Sequence, residues 1–322
     1  MKTNKLILKS VLCLAVAGAI FTGCKKDKTE DNADESAIQI TNGSDEARMS
    51  SETDDVADEA NRVALAYPNF RGVGAIAIVT GNHIPCNAII DTTLKSQGKL
   101  TITYNGNNCG GNRTRTGVIT LQLPYNSATN TVTPWSTAGC VLTVTFVNYK
   151  VTRLSDGKSI TINGTKYITN VNGGLMDDAD SFASPIVHHI TSSTMQITFD
   201  DGTTRTWSID RTRTINRTNG LTTVTITGNS TQNGISNVSV WGVNRRGDNF
   251  TVSISTPIVL SSACDFHPIS GVRVHKGVIR ELTITFGVDQ SGNPVSSGCP
   301  YGYRLNWVNK NGVAKQSILS YQ

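Results

Sequence analysis

Few residues of this 322-residue chain have types and spacings that can do chemistry. Its five histidines are His83, His188, His189, His267 and His275. His188 and His189 are neighbours in an apparent strand, where successive side chains leave by opposite faces, so they make a poor metal pair. Cys264 and His267 lie close in sequence, but Cys264 is better used in a disulfide. No Cys-x-x-Cys spacing marks a zinc site, and no metal is expected. The His-Glu-x-x-His, Gly-x-Ser-x-Gly and phosphate-loop patterns are absent. Gly72-Val-Gly74 lacks the third glycine and following helix of a dinucleotide loop. Asp177-Asp-Ala-Asp180 lacks the spaced ligands of a calcium loop and reads as a solvated loop. From residue 61 on there is one glutamate, Glu281, and eleven aspartates, thin material for the paired carboxylates of a glycosidase. Trp135, Trp207, Trp241 and Trp307 could stack on sugars, but an aromatic content of 6% is lean for a glycan binder, and core packing explains them. Arg246-Gly-Asp248 matches an adhesion tripeptide and sits where a hairpin turn is expected. The survey yields no catalytic residue and implies no cofactor.

The N-terminal stretch decides where the chain goes. Lys2 and Lys5 precede an apolar run from Val11 to Phe21. That run, about ten residues long, suits a signal-peptide core and is too short for a ~20-residue membrane-spanning helix. It ends Phe21-Thr-Gly-Cys24, which resembles a bacterial lipoprotein signal with Cys24 as the lipidated first mature residue. Phe21 stands where the usual pattern has Leu. The following Lys25-Lys-Asp-Lys-Thr-Glu-Asp31 is similar to the tether of surface-exported lipoproteins in Bacteroidota-type bacteria. The Gly/Cys loop before Arg113-Thr-Arg-Thr-Gly117, and Arg211-Thr-Arg-Thr214 after Asp201-Gly-Thr-Thr-Arg-Thr-Trp207, belong to the same resemblance. It is to uncharacterised β-rich outer-membrane or surface lipoproteins of those bacteria. It implies a signal peptide over residues 1–23, lipid on Cys24 and a membrane partner through that lipid. It also implies an outer-membrane location facing the cell surface, with the periplasmic face as the alternative. It brings no assigned activity. Asp91-Thr92-Thr93 resembles an O-glycosylation acceptor of the same bacteria.

Cys13 leaves with the signal, so five thiols remain beside Cys24. An exported protein lives where disulfides persist. The expected bonds are Cys86–Cys109 and Cys264–Cys299, because each pair flanks candidate antiparallel strands and closes a short loop. Sequence alone leaves other pairings open. Cys140 opens the apolar strand Cys140-Val-Leu-Thr-Val-Thr-Phe146 and reads as a buried free thiol.

Charge is divided unevenly along the chain. Residues 25–60 hold four basic and twelve acidic side chains, and residues 61–322 hold twenty-two basic and twelve acidic. An acidic segment of net −8 thus leads into a basic body of net +10. The acidic segment reads as a self-repelling spacer. The basic body suggests contact with acidic glycans or other polyanions. Its positive charge is scattered, without a Lys/Arg run or interleaved aromatics, so nucleic acid is not an expected partner.

These residues must be positioned by an all-β body. Residues 24–50 are expected to form a disordered acidic tether. Over 51–66, Val56, Ala60, Val63 and Ala64 recur at helical spacing and acids crowd the first turn, which predicts one short helix ended by Tyr67-Pro68. The body, 67–322, alternates apolar and polar residues over 100–104, 117–123, 141–146, 195–199, 222–227, 250–254 and 282–286, the pattern of strands with one buried face. Asn-Gly at 105, 163, 172, 219, 233 and 311, and Asp-Gly at 156 and 201, predict tight hairpins. The result is an antiparallel all-β fold, either a sandwich or a long twisted meander; a loose likeness between halves near 67–185 and 186–322 reads equally as an old duplication or as convergence in a Thr-rich β protein. In the strand around Trp207, Arg205, Trp207, Ile209, Arg211 and Arg213 share one face. The functional expectation is a non-catalytic, lipid-anchored envelope protein with a structural or interaction role, whose partners are a polysaccharide or an envelope protein. The alternatives are a glycan- or acidic-polymer-binding module, and a hydrolase whose site is not visible in sequence.

Overall fold

A computed structural model describes residues 28–72, 85–176, 181–277 and 280–321. The proposed signal, Cys24, Gly74, His83 and the Asp177–Asp180 loop lie outside the described residues.

The alternating segments form strands, as their pattern demands. Among the described residues these are β1 (Ala88–Asp91), β2 (Lys99–Asn107), β3 (Arg113–Gln122), a short pair β4 (Tyr125–Asn126) and β5 (Thr131–Val132), β6 (Cys140–Arg153), β7 (Ser159–Asn170), β8 (Ile186–Phe199) and β9 (Thr204–Thr218). They continue as β10 (Leu221–Gly228), β11 (Ser230–Gln232), β12 (Ile235–Val243), β13 (Asn249–Ser261), β14 (Pro268–Lys276), β15 (Leu282–Val288), β16 (Gly302–Val308) and β17 (Ala314–Ser320). All but β4 and β5 belong to one antiparallel sheet in the order β1-β2-β3-β6-β7-β8-β9-β10-β13-β14-β15-β16-β17. β12 lies in line with β10, pairing with both β9 and β13. The strand order is that of a meander, and β7 pairs with β8 straight across residue 185.

Six of the eight turn dipeptides lie between strands or in loops. Asn219-Gly220 and Asn233-Gly234 take positive φ at both positions, as a tight hairpin requires. Asn105-Gly106 and Asn163-Gly164 instead lie inside β2 and β7. At Gly164 the opposing strand is too close for a side chain: an added Cβ would lie 3.0 Å from Met195 Cα. The ladder shifts register on either side of it. Gly117, with φ 98°, is tighter still, an added Cβ lying 2.2 Å from the Asn148 carbonyl oxygen. Such bulges bend a strand and raise its twist, which is how one long sheet acquires an inner, concave face.

That inner face holds a helix. α1 spans Lys28–Ala66, and Tyr67 then adopts the extended backbone required before Pro68, which opens the short α2 (Pro68–Arg71). The helix expected over 51–66 is the C-terminal part of α1. Residues 28–50, expected to be a disordered tether, are helical as well. Local composition could not show this, because the arginines that neutralise the segment's acids lie far along the chain, at 205, 245 and 280. The C-terminal half of α1, from Met49 through Val56, Ala60 and Val63, joins a core with β2, β3 and β6–β9. Its N-terminal half meets a second cluster around Leu282, Leu305 and Trp307, through Ile40 and Ala47. Gly43 permits that approach, since a Cβ there would lie 3.1 Å from Leu305.

Cys86 is bonded to Cys109 and Cys264 to Cys299, the two expected pairs, and Cys140 is free and buried. The first bond ties the start of β1 to the β2–β3 turn, and the second ties the end of β13 to the β15–β16 connection at the opposite end of the sheet. The bonds close loops of 23 and 35 residues. Replacing either pair with serine is expected to lower unfolding free energy by about 3–4 kcal/mol, read from urea midpoints without reductant, with the 35-residue loop the costlier to lose.

Candidate functional site

The chemistry of this chain is concentrated where α1 meets the inner face of the sheet. α1 has eleven carboxylates and three basic residues. A charge taken out of water must be paired or it forces its group to neutralise. β9 supplies partners in register. Arg205 donates to Glu46 at 2.5 Å, Arg211 to Asp54, and Arg213 to Asp58 at 3.0 Å. Four helical residues rise about 6 Å and two strand residues about 6.6 Å, so Asp54 and Asp58 match Arg211 and Arg213 step for step. The sequence expectation that Arg205, Arg211 and Arg213 share a face with Trp207 and Ile209 holds, and all five are buried.

Other strands and turns complete the match. Arg113 reaches Glu52 at 3.2 Å and Asp55 at 3.0 Å, while Arg115 reaches Glu59 at 2.6 Å. The Tyr104 hydroxyl donates to the second Glu59 oxygen at 2.9 Å. Arg245, in the β12–β13 turn, holds Asp45 at 2.7 Å, and Arg280 holds Glu35 at 3.3 Å. Aromatic rings cover several guanidinium planes: Arg115 lies over Tyr104, Arg205 over Phe250 and Arg273 over Phe286. Such stacking suits a weakly hydrated planar cation better than an ammonium.

Protonation follows from burial and neighbours. Burial alone would raise the Glu46 carboxyl, but Arg205, helped by His275 and Arg273, holds it below the usual range. Asp54 is likewise depressed, because Arg211, Arg213 and Lys166 outweigh its burial. Burial wins at Asp45 and Glu52, whose carboxyls are raised. Lys166, on β7, is fully buried; its ammonium donates to the Thr53 carbonyl at 3.0 Å, and burial lowers it to about 7. Burial also pushes His275 to about 4 and His188 to about 3. His188 borders a cavity of ≈ 10 Å³ with Asn61, Trp135 and Arg213, about the space of one water molecule. His188 Nε2 and Asn61 Nδ2 have no protein partner there.

The remaining candidates do not converge. His188 faces inward, and its neighbour His189 faces outward to Asp210 at 2.8 Å, as adjacency on a strand dictates. His267 stacks on Tyr321. Glu281 is exposed and pairs with Lys276 at 3.2 Å. Arg246-Gly-Asp248 forms the expected turn, closed by the Asn244 amide donating to the Asp248 carbonyl. Trp135, Trp207 and Trp307 are buried and Trp241 is half-exposed. Burial raises the Cys140 thiol to about 11. Asp91 accepts from the Thr93 amide at an exposed turn. Among the described residues no three His, Cys, Asp or Glu side chains are placed to hold a metal, and no helix is long and apolar enough to cross a membrane. The helix–sheet ion pairs themselves were missed as pairs by sequence reasoning, although the −8 and +10 charge division was their signal. Compared with known protein families, curated proteins and solved structures, the chain matches none.

Two consequences follow for stability. Glu46→Ala leaves Arg205 buried and unpaired, so it should cost about 3–5 kcal/mol by urea unfolding, whereas Glu46→Leu combined with Arg205→Met should recover most of that loss. Unfolded Lys166 keeps its proton to its usual 10.5 and folded Lys166 only to about 7. Between those values the unfolded state binds more protons, so Lys166 makes stability rise with pH. The stability of wild type minus that of Lys166→Met should therefore climb from pH 7 to pH 10; a flat difference would show the lysine to be neutral in both states or charged in both.

Proposed function

We propose that this chain is a lipid-anchored protein of the cell envelope, held at the outer membrane through Cys24 and facing outward, with a structural or interaction role rather than a catalytic one. The anchor is supported by the Phe21-Thr-Gly-Cys24 signal and the lysine-then-acid stretch that follows it. The non-catalytic role is supported by one observation above all. Among the described residues of α1, the buried carboxylates Glu35, Asp45, Glu46 and Glu52 are each paired with an arginine, so these interior charges are committed to holding the helix.

The acidic-polymer alternative drew on the body's net +10. Seven of its arginines, at 113, 115, 205, 211, 213, 245 and 280, are tied to α1, so that charge is not displayed as a patch. A hydrolase would need a carboxylate set open to substrate, and Glu281 is tied to Lys276 at the surface. In cells, the wild-type chain should stay with carbonate-washed membranes and be cut by protease added to intact cells, and Cys24→Ser should move it to the soluble fraction. A Cys24→Ser protein that stays membrane-bound overturns the anchor; protection from protease until lysis overturns the outward face.

A further inference from the structure

The inner face of the sheet is occupied by α1, but the outer face carries a built groove. Gln97, Gln122, Leu123, Pro124 and Tyr125 wall a depression of ≈ 400 Å³ whose floor is Val141 and Thr143 of β6. Two of the walls are fixed in place. Gln122 Nε2 donates to the Gln97 carbonyl at 2.9 Å and the Leu123 carbonyl at 2.6 Å, and the Tyr125 hydroxyl donates to Asn130 Oδ1 at 2.8 Å.

Strand register carries the floor onward. Thr143 is level with Tyr167 on β7, Tyr167 with Thr191 on β8, and Thr191 with Asp210 on β9. The neighbouring row runs from Val141 through Thr169 and His189 to Thr212. These rows cross four strands, about 14 Å at the usual strand spacing. Within them Tyr167 is 41% exposed, and His189 Nε2 bonds Asp210 Oδ1 at 2.8 Å. One lane further, half-exposed Trp241 lies level with Ser208, two residues before Asp210.

We propose that this groove and the strip leading to Trp241 bind a neutral polysaccharide chain. The side chains on offer are aromatic faces alternating with hydroxyl, amide and imidazole groups. An aromatic face suits the C–H face of a pyranose, and the polar groups both donate and accept, as a ligand made of hydroxyls requires. The backbone there is already paired on both sides in the ladder, so an added peptide strand finds no free edge. Charge is sparse: Lys99, level with Gln122, stands at one end, and Asp210 at the other is held by His189. A polyanion would find no cluster of cations. Because the walls and floor are held before binding, little ordering is needed when a chain arrives.

The inference deepens the interaction role proposed above and rests on that reading, but it does not depend on the lipid. It is tested with the purified full chain by affinity electrophoresis through gels containing amylose, xylan, a mannan or a β-1,3-glucan. Retardation by at least one of these is expected, unchanged by 0.5 M NaCl. Tyr167→Ala should weaken it about tenfold or more, as should Thr143→Arg, which fills the floor; neither side chain belongs to the buried core, so both variants should still unfold cooperatively in urea. No retardation in any gel overturns the proposal. So does retardation that survives both substitutions, or that high salt abolishes. Release of reducing ends from a retained polysaccharide would leave the groove standing and overturn the non-catalytic role instead.

Discussion

The structure depends on matching one strongly acidic helix to arginines that a β-sheet points at it. A helix placed against the concave face of a curved sheet is wetted along little of its length. α1 leaves residues such as Ala37, Thr41, Ser51, Asp55 and Arg62 exposed, while Glu46, Thr53 and Asn61 are buried. A sheet of alternating strands would ordinarily answer with an apolar inner face. Here the apolar rows are interrupted by Arg115, Lys166, Arg205, Arg211, Arg213 and Arg273, all buried. Neither half is tolerable alone. Without the helix, the sheet would crowd like charges on one face among uncovered apolar rows; without the sheet, the helix would be a chain of mutually repelling carboxylates with few apolar side chains to bury.

Specificity follows from the same constraint. Apolar contacts tolerate sliding, but ion pairs read position. The Asp54/Asp58 and Arg211/Arg213 matches hold only when the helix has one rotation and one height along β9. A shift of one residue turns a carboxylate about a quarter turn away from its arginine, which strands both. The arrangement is costly, since several arginine Nε atoms and one oxygen of Glu46 remain buried without a partner. It sets the helix in a single seat at the expense of some stability, a trade consistent with buried charge acting as a register device.

The body's architecture was legible because its signals are local. Period-two alternation located strands, and the face shared by Arg205, Trp207, Ile209, Arg211 and Arg213 could be read from parity alone. Both disulfides follow from cysteines at opposite sheet ends that flank neighbouring strands. Gly106 and Gly164 misled because Asn-Gly reports a tolerance for positive φ, which serves a bulge as well as a turn. The helical character of residues 28–50 was illegible because its cause is remote. The ion pairs that neutralise α1 join residues 56 to 245 positions apart. The charge division was visible in the sequence, yet its natural reading was outward, as tether and partner-seeking surface, because net charge says nothing of whether the complement lies in the same chain.

That inward closure of charge bears on what the surface is left to do. With the arginines turned in against α1, the outer face is composed mainly of threonine, serine and asparagine, with scattered rings such as Tyr167 and Trp241. A basic body has thereby become a nearly neutral exterior, and whatever it meets must be recognised through hydroxyls, amides and aromatic faces. The same helix also begins only four residues after Cys24, a span of at most about 14 Å of extended chain. If Cys24 carries lipid as proposed, the element nearest the membrane is also the element that holds the sheet's interior together. Any pull on the anchor then acts along α1 and is resisted in chain order by Glu35 on Arg280, Asp45 on Arg245 and then the pairs along β9. A pull applied there would thus load a helix that the sheet holds by ion pairs at Glu35, Asp45, Glu46, Asp54 and Asp58.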